Sequence, residues 1–206
     1  GTPNGVKIPI ALEELGIAYE AHRIPLSDEN VKSPEFLSLS PNNKIPAIID
    51  TEGPDGRPIG IFESAAILMY LGDKAGRLFG RNARERNEIM QWLMFQMGGV
   101  GPMLGLMGFF YKFAGAQIED PRPRERYRDE AIRLLAVVDK ELEGKDWIVG
   151  EYSIADMAIA PWLNALEFYG TKDVVGYNDL KNVPAYVERF FARPADQRAK
   201  RIPAPS

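Results

Sequence analysis

Ser40-Pro41-Asn42-Asn43-Lys44-Ile45-Pro46-Ala47-Ile48-Ile49-Asp50, followed after Gly53-Pro54-Asp55-Gly56 by Ile59-Gly60-Ile61-Phe62-Glu63-Ser64-Ala65-Ala66-Ile67, decides how this chain is read. Two apolar, β-branched runs flank a turn signal, so the spacing predicts a hairpin of strands Ile45 to Asp50 and Ile59 to Phe62. The residue before a proline is pushed to extended geometry, and X-Pro is the peptide link that goes cis most readily. A cis Ile45–Pro46 bond turns the Ile45 N–H and C=O outward, ready to pair with an extended peptide; a plain edge-strand proline accounts for the residue equally well. At the far side of the hairpin, Ser64 caps a helix running to about Asp73. A helix start carries unsatisfied N–H groups and partial positive charge, which suit a carboxylate, and Glu63 beside it can pair with an ammonium. A ligand end with both charges on one carbon is an α-amino acid. A simple serine N-cap is the competing explanation.

Outward from the hairpin, Ile8, Ala11, Leu12 and Leu15 lie at helical spacing between Val6 and Leu15. Tyr19 to Ile24 reads as a strand, and Ser33-Pro34 opens a short helix through Leu39. The order helix–strand–helix–strand–strand–helix is an α/β unit over residues 1–75, with a linker at 76–82 and a helical remainder over 83–206. In that remainder Tyr127, Ala131, Leu134, Leu135, Val138 and Leu142 form one amphipathic stripe. Ser153-Ile154-Ala155-Asp156 is a capping box opening Met157 to Tyr169, a helix apolar almost all round, kinked by Pro161 and central to a bundle. Asn182-Val183-Pro184 start a last helix that ends near Arg193-Pro194. Gly98-Gly99-Val100-Gly101-Pro102-Met103-Leu104-Gly105 lacks the spacing and the lysine of a phosphate loop, so close helix packing or a break explains it better.

With 206 residues, 45% hydrophobic and 26% charged, the chain has the composition of an ordinary globular protein of one large or two small domains. A net charge of -4 gives no reason to expect a nucleic-acid partner, and Arg122, Arg124, Arg126 and Arg128 are surrounded by acids. No apolar run reaches bilayer-spanning length and no signal peptide is visible, so no membrane partner is expected and the cytoplasm is the default location. Cysteine is absent and His22 is the one histidine. Those counts exclude disulfides, thiolate metal sites, a cysteine nucleophile and a C-x-x-C redox pair. His22 sits in a predicted strand with no G-x-S-x-G elsewhere, which argues against a serine triad. If the protein does thiol chemistry, the thiol arrives with the substrate.

Pro41 through Asp50, then Phe62-Glu63-Ser64-Ala65-Ala66-Ile67-Leu68-Met69-Tyr70-Leu71, then Ser153-Ile154-Ala155-Asp156 with Pro161 downstream, resembles the cytosolic glutathione transferases over almost the whole chain. Thr2-Pro3-Asn4-Gly5, Ser40 through Ile48, Gln91-Trp92-Leu93, Gly98 through Gly105 and Glu125-Arg126-Tyr127 resemble the bacterial Nu-class branch, which is related to a fungal nitrogen-regulator prion protein. The resemblance implies a thioredoxin-like α/β N-terminal domain, an all-α helical-bundle domain after it, and a homodimer. Glutathione is the implied co-substrate, with no metal, and the partner substrate is a small disulfide or electrophile.

Carried over by motif, Ile45 pairs its backbone with the cysteinyl part of glutathione at Pro46. Glu63 and Ser64 hold the γ-glutamyl end, and Lys44 with Asn43 lies near the glycyl carboxylate. Thr2 and Asn4 are the implied catalytic residues, facing the sulfur. Arg126 reaches the ligand from the helical domain, and Phe109, Phe110, Tyr111 and Trp162 line a second-substrate pocket between the domains. Bundle core and a solvated arginine are the competing explanations for these last five. Val31 stands where many relatives carry a glutamine that touches glutathione. Relatives also have an apolar strand before the Thr-Pro-Asn-Gly turn; the first strand of the sheet is therefore expected to be absent from this chain. The implied activity is thiolate attack on a disulfide or on an electrophilic carbon. The alternatives are a non-catalytic dimerisation or regulatory protein of the same fold, and a glutathione-dependent ether-cleaving or dehalogenating enzyme.

Overall fold

The two apolar runs pair as an antiparallel ladder, β1 (Ala47–Asp50) with β2 (Ile59–Phe62), in the register Ala47↔Phe62 to Asp50↔Ile59. The computed structural model describes residues 1–200 and 202. They fall into two units: Gly1–Arg77 together with the segment opening at Pro194, and Leu78–Arg193.

In the first unit, α1 (Lys7–Leu15) buries Ile8, Ile10, Ala11, Leu12 and Leu15 and is stopped by Gly16 in the left-handed region. Helices α2 (Asp28–Val31) and α3 (Pro34–Leu39) follow, the second with the Ser33 hydroxyl accepting from Phe36 N–H at 3.2 Å. A Cβ on Gly60 would sit 2.7 Å from Leu39 Cδ1, so β2 approaches α3 as only glycine allows. The other face of the ladder meets α4 (Ser64–Ala75): Asp50, at the end of β1, accepts from Tyr70 and Lys74.

The expected strand at Tyr19 to Ile24 is not formed. That stretch runs without a ladder, largely exposed, with the Tyr19 hydroxyl donating to Glu13 at 2.9 Å. β-propensity expresses itself only against a paired neighbour, and the ladder found among the described residues of this unit is β1–β2 alone.

In the second unit, α5 (Ala83–Phe95), a π-type turn at Gln96–Val100 and α6 (Gly101–Lys112) make one continuous helical run of 30 residues. By length and composition this run is long and apolar enough to cross a bilayer, which corrects the expectation that no stretch qualifies. Its buried side packs on α7 (Pro121–Glu141) and α8 (Ile154–Tyr169), as a bundle core helix does. The glycine-rich stretch is a packing surface: Gly101 and Gly105 lie against the Trp162 ring, and Gly108 lies against Tyr169. Helix α8 is buried from Ile154 to Pro161. Helix α9 (Val183–Phe191) is not the last one, because α10 (Pro194–Ala199) follows and packs on α1 in the first unit. There Arg198 pairs with Glu13.

Candidate glutathione site

The register brings four of the sequence-predicted residues together. With Ala47 opposite Phe62, Ile45–Pro46 and Glu63–Ser64 leave the ladder at the same end. The Ile45–Pro46 bond is cis. The loop before it is pinned: buried Ser40 donates its hydroxyl to Lys44 C=O at 2.8 Å, and Asn43 N–H donates to Ser40 C=O at 2.9 Å. Asn43 takes φ 51, a conformation asparagine tolerates better than most side chains. The Lys44 side chain is left exposed.

A third segment reaches the same place. Gly5 N–H donates to Thr2 Oγ at 2.9 Å, and a Cβ on Gly5 would sit 3.5 Å from Ile45 Cδ1. The Thr2–Gly5 turn therefore lies beside Ile45. Thr2 Oγ accepts one hydrogen bond there and has its own proton to donate.

At the start of α4 the structure corrects one expectation. Glu63, not Ser64, occupies the cap position, with φ 70 and ψ 117 and no side-chain cap bond. Such a backbone costs of order 1–3 kcal/mol in a residue other than glycine. It is held by the ladder up to Phe62 on one side and by Ile67 N–H donating to Glu63 C=O at 3.0 Å on the other. Ser64 is the first helical residue and is buried, with Oγ accepting from Lys7 Nζ at 3.2 Å.

Lys7 is the residue that motif reading missed. It is fully buried. Desolvation pulls its ammonium from 10.5 down to about 7, with Glu63 pulling the other way. A signal existed: Lys7 precedes the buried Ile10 and Ala11 by three and four positions, which puts it on the apolar face of α1.

Other predicted residues are placed as follows. His22 is exposed, 3.4 Å from Glu20. Val31 is buried at the end of α2. On α7, Arg126 is exposed and lies 3.8 Å from Glu130. Phe109 meets Phe110 edge-on at 5.1 Å, and Phe110 stacks on Tyr127 at 5.4 Å. Tyr111 lies under Arg124, and Trp162 covers the glycines of α6. Phe109 and Phe110 are thus brought together, and Trp162 is held in helix packing.

The family model for the glutathione S-transferase N-terminal domain matches residues 2–74 and that for the C-terminal domain matches residues 106–194; the chain belongs to this family. It is 44% identical over 200 residues to the disulfide-bond oxidoreductase YfcG of Escherichia coli, covering 96% of this chain and 90% of that one. Among solved structures, a glutathione transferase family member from Pseudomonas fluorescens with two glutathione bound superposes with TM-score 0.94 at 54% identity, covering 96% of this chain and 88% of that one. A glutathione transferase from Pseudomonas putida with one glutathione disulfide per subunit gives 0.96 at 52%, covering 98% and 89%.

Proposed function

We propose that this chain is a glutathione-dependent disulfide oxidoreductase that acts as a homodimer in a compartment supplying reduced glutathione. The observation that carries this reading is the meeting of Thr2–Gly5, Ile45–Pro46 and Glu63–Ser64 at one end of the ladder in a chain without cysteine. The name of the YfcG relative and the glutathione disulfide of the P. putida neighbour support it.

The γ-glutamyl carboxylate lies on the N–H groups and hydroxyl at the start of α4, its ammonium on Glu63, and the cysteinyl backbone along Ile45. The glycyl carboxylate lies near Asn43 and Lys44. Thr2 and Asn4 face the sulfur. A thiol of pKa about 8.5 is mostly protonated at neutral pH, and lowering it to about 6.5 takes roughly 2.7 kcal/mol. Donors aimed at the anion supply such stabilisation. The thiolate then attacks one sulfur of a small disulfide; a glutathionyl mixed disulfide forms and the other half leaves as a thiolate that takes up a proton. A second glutathione thiolate attacks the glutathionyl sulfur, yielding glutathione disulfide and the second thiol. Two glutathiones are oxidised for each disulfide reduced.

The homodimer reading is supported by Ile49 and Phe62, exposed apolar side chains on one face of the ladder that a second copy would cover.

The test is turnover of bis(2-hydroxyethyl) disulfide with glutathione, run beside chlorodinitrobenzene conjugation. Disulfide turnover well above conjugation is expected. Conjugation alone would make the chain an ordinary transferase. Absence of both, with no calorimetric glutathione binding, would overturn the enzyme reading in favour of a non-catalytic member of the family.

A further inference from the structure

The buried Lys7 ammonium is an unusual object at this place. An ionised side chain taken from water costs several kcal/mol unless it is well paired, and a methionine of similar length would fill the same space without that cost. Lys7 reaches Ser64, the residue 57 positions away at the start of α4. The elements packed on α1 are α4 and α10. On the α4 side the charge that acts on Lys7 is Glu63. On α10, Arg198 is engaged by Glu13 and Asp196 by Lys200. The ammonium thus faces the acid–serine pair assigned above to the γ-glutamyl end.

A hydroxyl has one proton and two lone pairs, and which way the proton points depends on its neighbours. An ammonium can only donate. Wherever Lys7 occupies a lone pair of Ser64 Oγ, the Ser64 proton is directed away from Lys7. We propose that Lys7 is a positioning residue for the ligand's α-carboxylate: by donating to Ser64 Oγ from inside the protein, it turns the Ser64 hydroxyl into a donor toward that carboxylate. The proposal rests on the glutathione reading. It explains why α4 starts with its serine turned inward rather than capping the helix, and why a charge is kept in the core of α1. Desolvation already weakens that charge, so a carboxylate laid on the start of α4 joins Glu63 in restoring it.

The test is calorimetric titration at pH 6 with two probes, S-methylglutathione and its analogue in which 4-aminobutyrate replaces the γ-glutamyl residue and the α-carboxylate is missing. The S-methyl group removes the thiol and its chemistry from the comparison. The parent protein is expected to prefer S-methylglutathione by tenfold or more. Lys7→Met is expected to bind S-methylglutathione about tenfold more weakly and the analogue unchanged, while its melting temperature holds or rises. Lys7→Gln keeps a donor and is expected to recover part of the affinity; it also carries the test should Lys7→Met not fold. A parent preference retained in both variants overturns the role of Lys7 and leaves the glutathione reading standing. A parent that binds both probes equally, or neither, removes the γ-glutamyl pocket itself and the role of Lys7 with it.

Discussion

Two helix starts in this molecule use the same materials, a serine and an acid, and put them to opposite ends. At α8 the motif is closed on itself. Ser153 Oγ accepts from Ala155 N–H at 3.2 Å, and Asp156 accepts from Ser153 N–H at 2.9 Å, Ile148 N–H at 3.0 Å and the Tyr186 hydroxyl at 3.1 Å. Asp156 is fully buried and every bond stays within the fold. At α4 the acid comes first, takes a positive φ and makes no cap bond, and the serine turns inward to a lysine. A helix start closed by its own side chains stabilises the fold. One whose cap residue makes no side-chain cap bond suits the ligand role proposed for α4, because a helix start offers N–H groups and a positive end.

The difference is broken most directly at α8. Asp156→Ala leaves four buried donors without their acceptor, the Ser153 hydroxyl at 3.4 Å among them, and the loss of stability is expected to reach about 3 kcal/mol or more in denaturant unfolding at neutral pH. Glutathione affinity of the folded protein should be kept. A loss under about 1 kcal/mol would mean that the closed cap is not a structural keystone. The pH dependence sharpens the point. Burial lifts the Asp156 carboxyl from 3.8 to about 6, against the opposing hydrogen bonds. The folded state holds this proton more tightly than the unfolded chain, so the proton-linked part of the contribution is full below 3.8 and is lost as pH rises through about 6, while the hydrogen bonds to the carboxylate remain. The stability gap between parent and Asp156→Ala should therefore narrow across that window; a gap that widens would contradict the assignment.

At α4 the expectation is reversed. Glu63→Gln should weaken glutathione about tenfold, or 1.4 kcal/mol, by removing the partner of the ligand's ammonium. Stability should stay within about 0.5 kcal/mol, because Glu63 is exposed and its side chain caps nothing. Equal affinity in calorimetry would reject the γ-glutamyl assignment, and a stability loss as large as that of Asp156→Ala would erase the contrast between the two helix starts.

How much of this was legible before the structure depends on how local the cause is. The Ile45–Pro46 hairpin, the Ser153–Asp156 box and the glycine surface of α6 follow from neighbours in sequence, and each forms, although the first strand begins at Ala47 rather than Ile45 and α8 at Ile154 rather than Met157. Tyr19 to Ile24 has strand composition and no strand, because a ladder needs a partner that composition does not name. The inward turn of Ser64 depends on Lys7, 57 residues away, and no cap motif encodes it. The helix after Arg193-Pro194 was hidden for the same reason: α10 is held by α1, from the other end of the chain.

The smallest effect belongs to the body of α4. Lys74 and Tyr70 both donate to Asp50 at the end of β1, tying the helix to the ladder away from its N-terminus. These bonds hold the Asp50 carboxyl down at about 2. Here the folded state binds the proton more weakly than the unfolded chain does, so the contribution is present above 3.8 and is lost as pH falls through about 2. The sign is opposite to that of Asp156. Lys74→Met should cost about 0.2–1 kcal/mol at neutral pH, as partly exposed ion pairs do, with the difference from the parent closing as the solution is acidified. Glutathione affinity should not change, since the tie holds α4 in place without touching its start. If Lys74→Met weakened glutathione as much as Glu63→Gln, the helix start would depend on the whole ladder contact, and the open end of α4 would no longer be separable from the packing that carries it.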